Sequence, residues 1–143
     1  MKNGRYGITS FRRQFPDNDA CLNFLFSALC IRVCSCGGSY RRIRGRRQFQ
    51  CSKCRIQVAP TSGTIFHKSD TYLTMWFHAI ALFSNTKGDI SAKTLERDLE
   101  VSYKTAWRML ALIRKSFEKR KGKIKYINGN VFQKSNMTMF QNK

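Results

Sequence analysis

Acidic residues are scarce in this sequence and unevenly placed. The chain has 8 Asp and Glu against 27 Lys and Arg, which gives a net charge of +19 and a pI near 10.3. No carboxylate occurs between Ala20 and Ser69, and beyond Val101 the sequence has only Glu118. Magnesium needs hard oxygen ligands, and two-metal phosphoryl transfer needs several carboxylates close together. The sequence therefore predicts that the chain has no catalytic centre of that kind.

Long apolar runs are also missing. The two most apolar stretches, residues 21–33 and 73–83, are too short to span a bilayer and contain polar residues. Near the N-terminus, Arg12 and Asp17 stand where the apolar core of a signal peptide would begin. We therefore expect a cytoplasmic protein that makes no use of a membrane. In a reducing compartment its cysteines favour metal over disulfides.

Positive charge is the feature in excess. One group of cations surrounds the central cysteines: Arg32, Arg41, Arg42, Arg44, Arg46, Arg47, Lys53, Arg55 and Lys68. A second group lies beyond Val101, where eleven Lys and Arg accompany one acidic residue. Basic runs can be merely solvated faces, and membrane surfaces also attract cations. Such a one-sided distribution nevertheless favours a polyanion, with nucleic acid as the leading partner.

Two cysteine pairs have the spacing of a metal site. Cys34 and Cys36 form the first pair, and Cys51 and Cys54 form the second, which begins fifteen positions after Cys36. Four thiolates predict a tetrahedral structural Zn²⁺. Because the first pair has one intervening residue where two are common, Cys30 is an alternative to Cys34 or Cys36.

His67 and Cys21 are two further potential metal ligands. His67 lies thirteen residues past Cys54, beside Phe66, and fits a surface or packing role better than a ligand role. Cys21 falls on the apolar stripe of a predicted helix, where a free cysteine behaves as a small hydrophobe. We therefore predict that neither binds the metal.

The segment around the cysteines is predicted to be a small antiparallel sheet. Residues 40–44 and 47–51 flank Gly45 as two strands, and residues 56–59 can add a third. This is the outline of a zinc ribbon, in which the metal replaces a core too small to hold itself. A helix of about a dozen residues, capped by Asp17, precedes it, so that residues 17–60 form one unit. Residues 1–16 are predicted to be a flexible basic arm.

The second half of the chain is predicted to be helical. After a polar linker at 61–69, Ser69 or Asp70 can cap a helix through residues 72–83, and the helical domain extends over 70–118. Ser91 and Ser102 then open two short helices with a break near Glu100. This pattern predicts a helix-turn-helix at 91–114, although an ordinary helical hairpin is an alternative. The expected fold is therefore a small α+β protein, a zinc ribbon preceded by a helix and followed by a helical domain.

Nine side chains are candidates for DNA contact. In a helix-turn-helix, the start of the second helix enters the major groove. The candidates are Tyr103, Lys104, Thr105 and Arg108 from that helix and Arg41, Arg42, Arg44, Arg46 and Arg47 from the predicted ribbon. The ribbon arginines suit phosphate, and an arginine on the helix can read guanine bidentately. Glu100 stands where such motifs often have glycine, so the turn is either strained or of another kind.

These features in this order resemble the N-terminal region of insertion-sequence transposases with a transposase zinc ribbon. The similarity covers about residues 11–117. The most specific strings are Thr61-Ser62-Gly63-Thr64-Ile65-Phe66-His67 and Val101-Ser102-Tyr103-Lys104-Thr105-Ala106-Trp107-Arg108-Met109-Leu110. The resemblance implies that Cys34, Cys36, Cys51 and Cys54 bind zinc and that the two modules dock on terminal inverted repeats. The short first cysteine pair, Arg55 in place of a usual glycine, and Glu100 depart from the pattern.

The resemblance also implies a catalytic domain that this sequence does not contain. Family members continue into a nuclease-like domain whose acidic residues bind divalent metal ions, whereas residues 119–143 are a basic tail without a carboxylate. We therefore expect a truncated, DNA-binding part of a transposase that is not itself an enzyme. The resemblance also implies a bacterial cytoplasmic location, with the chain associated with the nucleoid when bound to DNA, and intact transposase subunits as further partners. The alternatives are an active recombinase that joins a separately made catalytic subunit, a stand-alone transcription regulator, and an RNA-binding zinc ribbon.

Overall fold

The computed structural model describes residues 7–29, 33–67, 69–126 and 129–141 of the 143-residue chain. Within these ranges the chain is α+β. The helices are α1 Ile8–Gln14, α2 Asn18–Leu29, α3 Leu73–Asn85, α4 Ala92–Leu99, α5 Tyr103–Lys119 and a 3₁₀ helix, Lys134–Phe140. The strands are β1 Tyr40–Arg42, β2 Phe49–Cys51 and β3 Gln57–Val58.

Helix α2 begins as its sequence predicts. The Asp17 carboxylate accepts a hydrogen bond of 2.8 Å from the backbone N–H of Ala20, and the helix continues for 12 residues. Cys21 is fully buried on its apolar face, which confirms a core role. Burial raises the pKa of the Cys21 thiol to about 12, and nearby Asp17 adds to the effect.

The three strands form an antiparallel sheet in the order β1-β2-β3. Tyr40 lies opposite Cys51, and Phe49 lies opposite Val58. The strands are shorter than predicted because the chain turns around Gly45, which has a φ of +77°.

Helix α2 supports one side of this sheet through Phe26 and Asp19. The ring of Phe26 stacks on that of Phe49, with centroids 4.0 Å apart and an interplanar angle of 15°. Arg42 forms an ion pair of 2.8 Å with Asp19. The same helix also packs against α3 and the 3₁₀ helix. It therefore belongs to the helical core as much as to the sheet, contrary to the predicted 17–60 unit.

The N-terminus of α3 is not capped by the residues that the sequence suggested. Tyr72 occupies the N-cap position and makes no side-chain cap. Instead, Asn18 of α2 accepts hydrogen bonds of 3.1 Å from both the backbone N–H and the hydroxyl of Thr74. The Ser69 hydroxyl accepts a bond of 3.0 Å from the indole N–H of Trp76. A residue distant in the sequence therefore satisfies this helix end.

The prediction of a flexible arm over residues 1–16 is wrong for its second half. Residues 8–14 are helical, and Phe11 and Phe15 are buried. Phe15 meets Phe77 and Phe132 edge-on at 4.9 Å from each centroid. These two aromatic side chains bind the segment to the core. Residues 1–6 lie outside the described residues.

The predicted linker at 61–69 is part of the core rather than a spacer. Thr61, Thr64, Ile65 and Phe66 are buried. The Thr64 hydroxyl donates a 2.6 Å hydrogen bond to the carbonyl of Thr61, which satisfies this buried polar group. The backbone N–H of Ile65 donates to the carbonyl of Phe140 at 2.9 Å, so this segment is joined to the C-terminal region.

The predicted basic tail at 119–143 also folds back over much of its length. Its buried residues are Val131, Phe132, Asn136, Met137, Met139 and Phe140. Phe132 stacks on Phe77 with centroids 5.1 Å apart. The side chain of Asn136 hydrogen-bonds backbone groups of both Lys125 and Val131. The apolar residues of this segment, rather than its lysines, decide its position.

Buried apolar side chains from Phe11 to Phe140 form one contiguous cluster. This cluster includes residues of the predicted arm, linker and tail, so those three segments are not separate from the core. Among the described residues, no helix is long and apolar enough to cross a membrane.

Candidate metal centre and basic surface

The first cysteine pair lies on a tight turn that precedes β1. The N–H of Gly37 donates to the carbonyl of Cys34 at 2.8 Å, and the N–H of Cys34 donates to the carbonyl of Gly38 at 2.9 Å. A Cβ at Gly38 would lie 2.6 Å from Cys51 Sγ and 2.7 Å from Lys53 Cβ. Glycine is therefore required at position 38 by space, because the two cysteine turns approach each other there.

The second cysteine pair lies on the turn between β2 and β3. The N–H of Cys51 donates to the carbonyl of Ile56 at 2.8 Å, and the N–H of Lys53 points at Cys51 Sγ at 3.4 Å. Arg55 has a φ of +68°, the left-handed conformation that glycine would adopt readily. Arg55 stands in place of a usual glycine, and its backbone keeps the left-handed conformation that glycine would adopt.

The sheet brings the four sulfur atoms together. Cys34 Sγ lies 3.5 Å from Cys54 Sγ, Cys36 Sγ lies 3.4 Å from Cys51 Sγ, and all four lie within 4.8 Å of one another. Tetrahedral zinc with bonds of about 2.3 Å places its sulfur ligands about 3.8 Å apart. The four side chains could therefore hold a metal ion, and a set of four thiolates is consistent with structural zinc.

Cys30 and His67 are the alternative ligands. Cys30 lies outside the described residues, so its exchange with Cys34 or Cys36 stays a prediction. His67 is exposed and is not in the group of side chains that surrounds the candidate metal position.

Hydrogen bonds around the sulfurs favour the thiolate form at the first cysteine of each pair. The backbone N–H of Cys36 and the hydroxyl of Tyr40 lower the pKa of Cys34 to about 6. The backbone N–H of Cys54 likewise lowers the pKa of Cys51. The bond to Cys34 raises the pKa of Tyr40 to about 12, so this hydroxyl stays protonated and can donate. Thiolate is the form of cysteine that binds metal.

The thiol of Cys54 has the opposite bias. The N–H of Ile56 favours its thiolate, but hydrogen bonds to Cys36, burial and the other two cysteines together raise the pKa of Cys54 to about 12. A metal ion would have to displace this proton on binding.

The five arginines predicted to contact DNA divide into two groups. Arg41, Arg44 and Arg46 are exposed around the β1–β2 turn. Arg42 is paired with Asp19 and also donates to the carbonyl of Arg46. Arg47 donates to the carbonyls of Ser69 and Thr71 at 3.2 and 3.3 Å. The last two arginines therefore hold the sheet against the helical core.

Helices α4 and α5 pack against each other and are joined by residues 100–102. The Ser91 and Ser102 hydroxyls cap them, each accepting a 3.2 Å hydrogen bond from the N–H three residues ahead. These two predicted caps are confirmed. Glu100 ends α4 in the left-handed conformation, at φ 54° and ψ 41°. The connection therefore has a backbone conformation that glycine commonly adopts, and Glu100, which has a side chain, is strained in it.

One face of α4 and α5 is buried. Its buried side chains are Leu95, Leu99, Ala106, Met109, Leu110 and Ile113. On the opposite face Tyr103, Lys104 and Arg108 are exposed, as predicted. Thr105 differs, because it is partly buried and its hydroxyl accepts a 2.9 Å hydrogen bond from Ser102. Thr105 therefore takes part in the cap.

Trp107 is an exposed aromatic residue that is not among the predicted DNA-contact residues. Although its side chain is apolar, 61% of its surface is exposed. Helical periodicity carried the signal, because Ala106, Leu110 and Ile113 already define the buried face and Trp107 lies about 100° from the first of these. An aromatic side chain thus lies beside Lys104 and Arg108 on the exposed side of α5.

A scan against protein-family models found no match, and searches of curated proteins and of solved structures found none either.

Proposed function

We propose that this chain binds double-stranded DNA as the DNA-binding part of an insertion-sequence transposase. In this proposal a zinc ribbon and a helix-turn-helix together recognise the terminal inverted repeats of the element. The resemblance described above supplies the family, and the exposed basic residues supply the chemistry. A structural Zn²⁺ on Cys34, Cys36, Cys51 and Cys54 would hold the ribbon.

The observation that carries the proposal is the exposed start of α5. Ser102 caps the helix, α4 covers its opposite face, and Tyr103, Lys104 and Arg108 remain in solvent. A helix supported in this way can enter the major groove with its N-terminal turns towards the base edges. Lys104 and Arg108 are four residues apart and therefore lie on one face.

The ribbon contributes affinity rather than sequence preference. Arg44 and Arg46 are exposed on the β1–β2 turn, at the end of the sheet away from the cysteines, and Arg41 is exposed in the middle of β1. Phosphate contacts of this kind position a protein on the duplex and carry no direct sequence information. The strongly positive chain as a whole supports a steep dependence of binding on salt.

The proposal gives the chain no strand-transfer activity of its own. Among the described residues, the four cysteines form the one cluster of three or more His, Cys, Asp or Glu side chains that could hold a metal ion. Two-metal phosphoryl transfer uses oxygen ligands rather than thiolates. A cleavage assay on duplex DNA with magnesium tests this point, and strand cleavage by the purified 143-residue chain would overturn it.

Arg108→Ala and Arg44→Ala test whether helix α5 provides sequence preference and the ribbon provides affinity. The probes are a duplex enriched by repeated selection from a random-sequence pool, and an unselected duplex of equal length. Arg108→Ala should lower the preference for the selected duplex about tenfold, because a base contact contributes about 1–3 kcal/mol of discrimination. Arg44→Ala should weaken binding to both duplexes by the same factor.

Two results would contradict the proposal. One is equal loss on both duplexes for Arg108→Ala, which would remove α5 from the base-reading role. The other is displacement of the duplex by structured RNA at lower concentration than by unlabelled duplex, which would favour the RNA-binding alternative.

A further inference from the structure

Trp107 stands out because the chain buries its other tryptophan completely. Trp76 is 1% exposed, whereas Trp107 is 61% exposed and Tyr103, one turn earlier on α5, is 49% exposed. Burying a large aromatic side chain stabilises a fold more than burying almost any other residue. A tryptophan and a tyrosine left in solvent on one helix face therefore indicate a surface that contacts a partner.

The surroundings of Trp107 restrict the kind of partner. Ala111, one turn further along the helix, is exposed and small, so it leaves the indole accessible from that side. Trp107, Leu110, Ala111, Arg114, Lys115 and Glu118 line a shallow depression. Around this depression α5 presents the cations Lys104, Arg108, Arg114 and Lys115. A second copy of the chain would bring these like charges together, whereas a polyanion complements them.

The chemistry of the duplex limits what an indole can touch there. Base faces are stacked, so an aromatic ring in the major groove meets base edges and cannot stack on a base. Those edges are polar with one exception, the 5-methyl group of thymine, and apolar side chains recognise it by contact. Tyr103 and Trp107 are four residues apart, about 6 Å along the helix axis, which keeps both within the part of α5 that would enter the groove.

We propose that Trp107 reads a thymine methyl group in the major groove and so determines part of the sequence preference. This inference rests on the proposed duplex-DNA binding and adds an apolar contact to the polar ones at Lys104 and Arg108. It predicts a thymine in the preferred site that no hydrogen-bond donor or acceptor of the protein explains.

Deoxyuridine tests this contact because it lacks the 5-methyl group and keeps the hydrogen-bonding edge of thymine. Thymines of the selected duplex are replaced singly by deoxyuridine, and affinity is measured for the wild type and for Trp107→Ala. The wild type should lose about three- to fourfold in affinity at one or two positions, the effect of one buried methyl group. Trp107→Ala should bind the thymine duplex more weakly and show no further loss with deoxyuridine.

Two variants serve as controls. Trp107→Phe keeps an apolar ring and should retain part of the methyl sensitivity. Lys115→Ala removes a neighbouring cation and should lower affinity while leaving the loss at deoxyuridine unchanged. Because Trp107 is exposed, circular dichroism of Trp107→Ala should match that of the wild type, as removal of an exposed side chain leaves the core intact.

The outcomes separate this inference from the function on which it rests. Failure of the wild type to bind any duplex would refute both. Duplex binding that is insensitive to deoxyuridine at every thymine, or equal sensitivity in wild type and Trp107→Ala, would refute the methyl contact and leave DNA binding intact. A concentration-dependent dimer abolished by Trp107→Ala would assign the surface to self-association and would also overturn the inference.

Discussion

Three residues other than glycine adopt left-handed backbone conformations within the described chain. They are Arg55, Lys87 and Glu100, with φ values of 68°, 55° and 54°. Each lies at a turn or a helix end, where glycine would adopt the same geometry without steric cost. An L-residue in this region costs about 1 kcal/mol or more. The turns therefore persist because the packing on either side fixes them.

Glu100 provides a direct test of this strain. Glu100→Gly should raise the free energy of unfolding by about 0.5–1 kcal/mol, because relief of the left-handed strain exceeds the extra chain entropy of glycine. Chemical denaturation of the zinc-loaded chain measures this change.

Glu96→Gly is the matched control, since Glu96 lies inside α4 in a helical conformation. That substitution should destabilise the chain by about 1 kcal/mol. Destabilisation by Glu100→Gly of the same size as Glu96→Gly would show that the turn is not strained.

Residue roles were predictable where the interaction is local. Asp17, Ser91 and Ser102 each cap the helix that immediately follows them, and a polar residue before an apolar pattern is enough to identify such a cap. Asn18 was not predictable in this way, because it hydrogen-bonds Thr74, 56 residues away. The exposure of Trp107 was visible in principle from helical periodicity, because Ala106, Leu110 and Ile113 define the buried face of α5.

At the scale of secondary-structure elements, the sheet is attached to the helices by few groups. Phe26 stacks on Phe49, Arg42 pairs with Asp19, and Arg47 donates to two carbonyls in the segment before α3. Arg47 and Arg44 are three residues apart in one basic turn, yet their surroundings assign them different roles.

This difference predicts opposite effects for two alanine substitutions. Arg47→Ala should lower the free energy of unfolding by about 1–3 kcal/mol, because two hydrogen bonds to a charged group are lost. Arg44→Ala should leave stability within about 0.5 kcal/mol of the wild type and weaken duplex binding. Denaturation and binding assays on both variants test the assignment, and a stability loss for Arg44→Ala that matched Arg47→Ala would contradict it.

The proposed zinc site predicts local unfolding when the metal is removed. Structural zinc contributes roughly 10–16 kcal/mol in small metal-dependent peptides, and Phe49 is the residue of the three strands that joins the buried core cluster. A chelator should therefore abolish amide protection in β1, β2 and β3 while the helical circular dichroism signal remains. Hydrogen exchange measures the amide protection of the sheet and of the helices separately.

Ligand variants sharpen this test. Cys36→Ser should reduce zinc content below one ion per chain, whereas Cys21→Ala should keep one ion, because Cys21 is a core residue. Cys30→Ser discriminates the remaining alternative, since zinc loss in that variant would show that Cys30 is a ligand. Retention of one tightly bound zinc by Cys36→Ser would contradict the ligand set.

Elements with a strong local pattern were predicted from the sequence, and elements without one were not. Helices α2, α3, α4 and α5 and the three strands lie near their predicted positions. Helix α1 and the C-terminal 3₁₀ helix have 7 residues each. Helices so short are unstable alone and depend on tertiary packing, here through Phe11 and Phe140, so local sequence gave no sign of them.

For the whole molecule, the local sequence patterns predicted the α+β class but not the way in which the segments combine. Residues predicted as arm, linker and tail all contribute to one core. The reason is that burial of Phe15, Phe66 and Phe132 depends on contacts between distant parts of the chain. The four-cysteine cluster was predictable because the close spacing within each cysteine pair, which is typical of metal sites, is visible in the sequence.

The salt dependence of duplex binding tests the central proposal most directly. The affinity of the zinc-loaded chain for a selected duplex is measured over a series of salt concentrations. We predict that log K falls linearly with log salt, with a slope contribution of about −0.9 for each phosphate contact, and that Arg44→Ala makes the slope shallower by about 1. Undetectable binding at low salt, or an affinity that does not change with salt, would contradict the account.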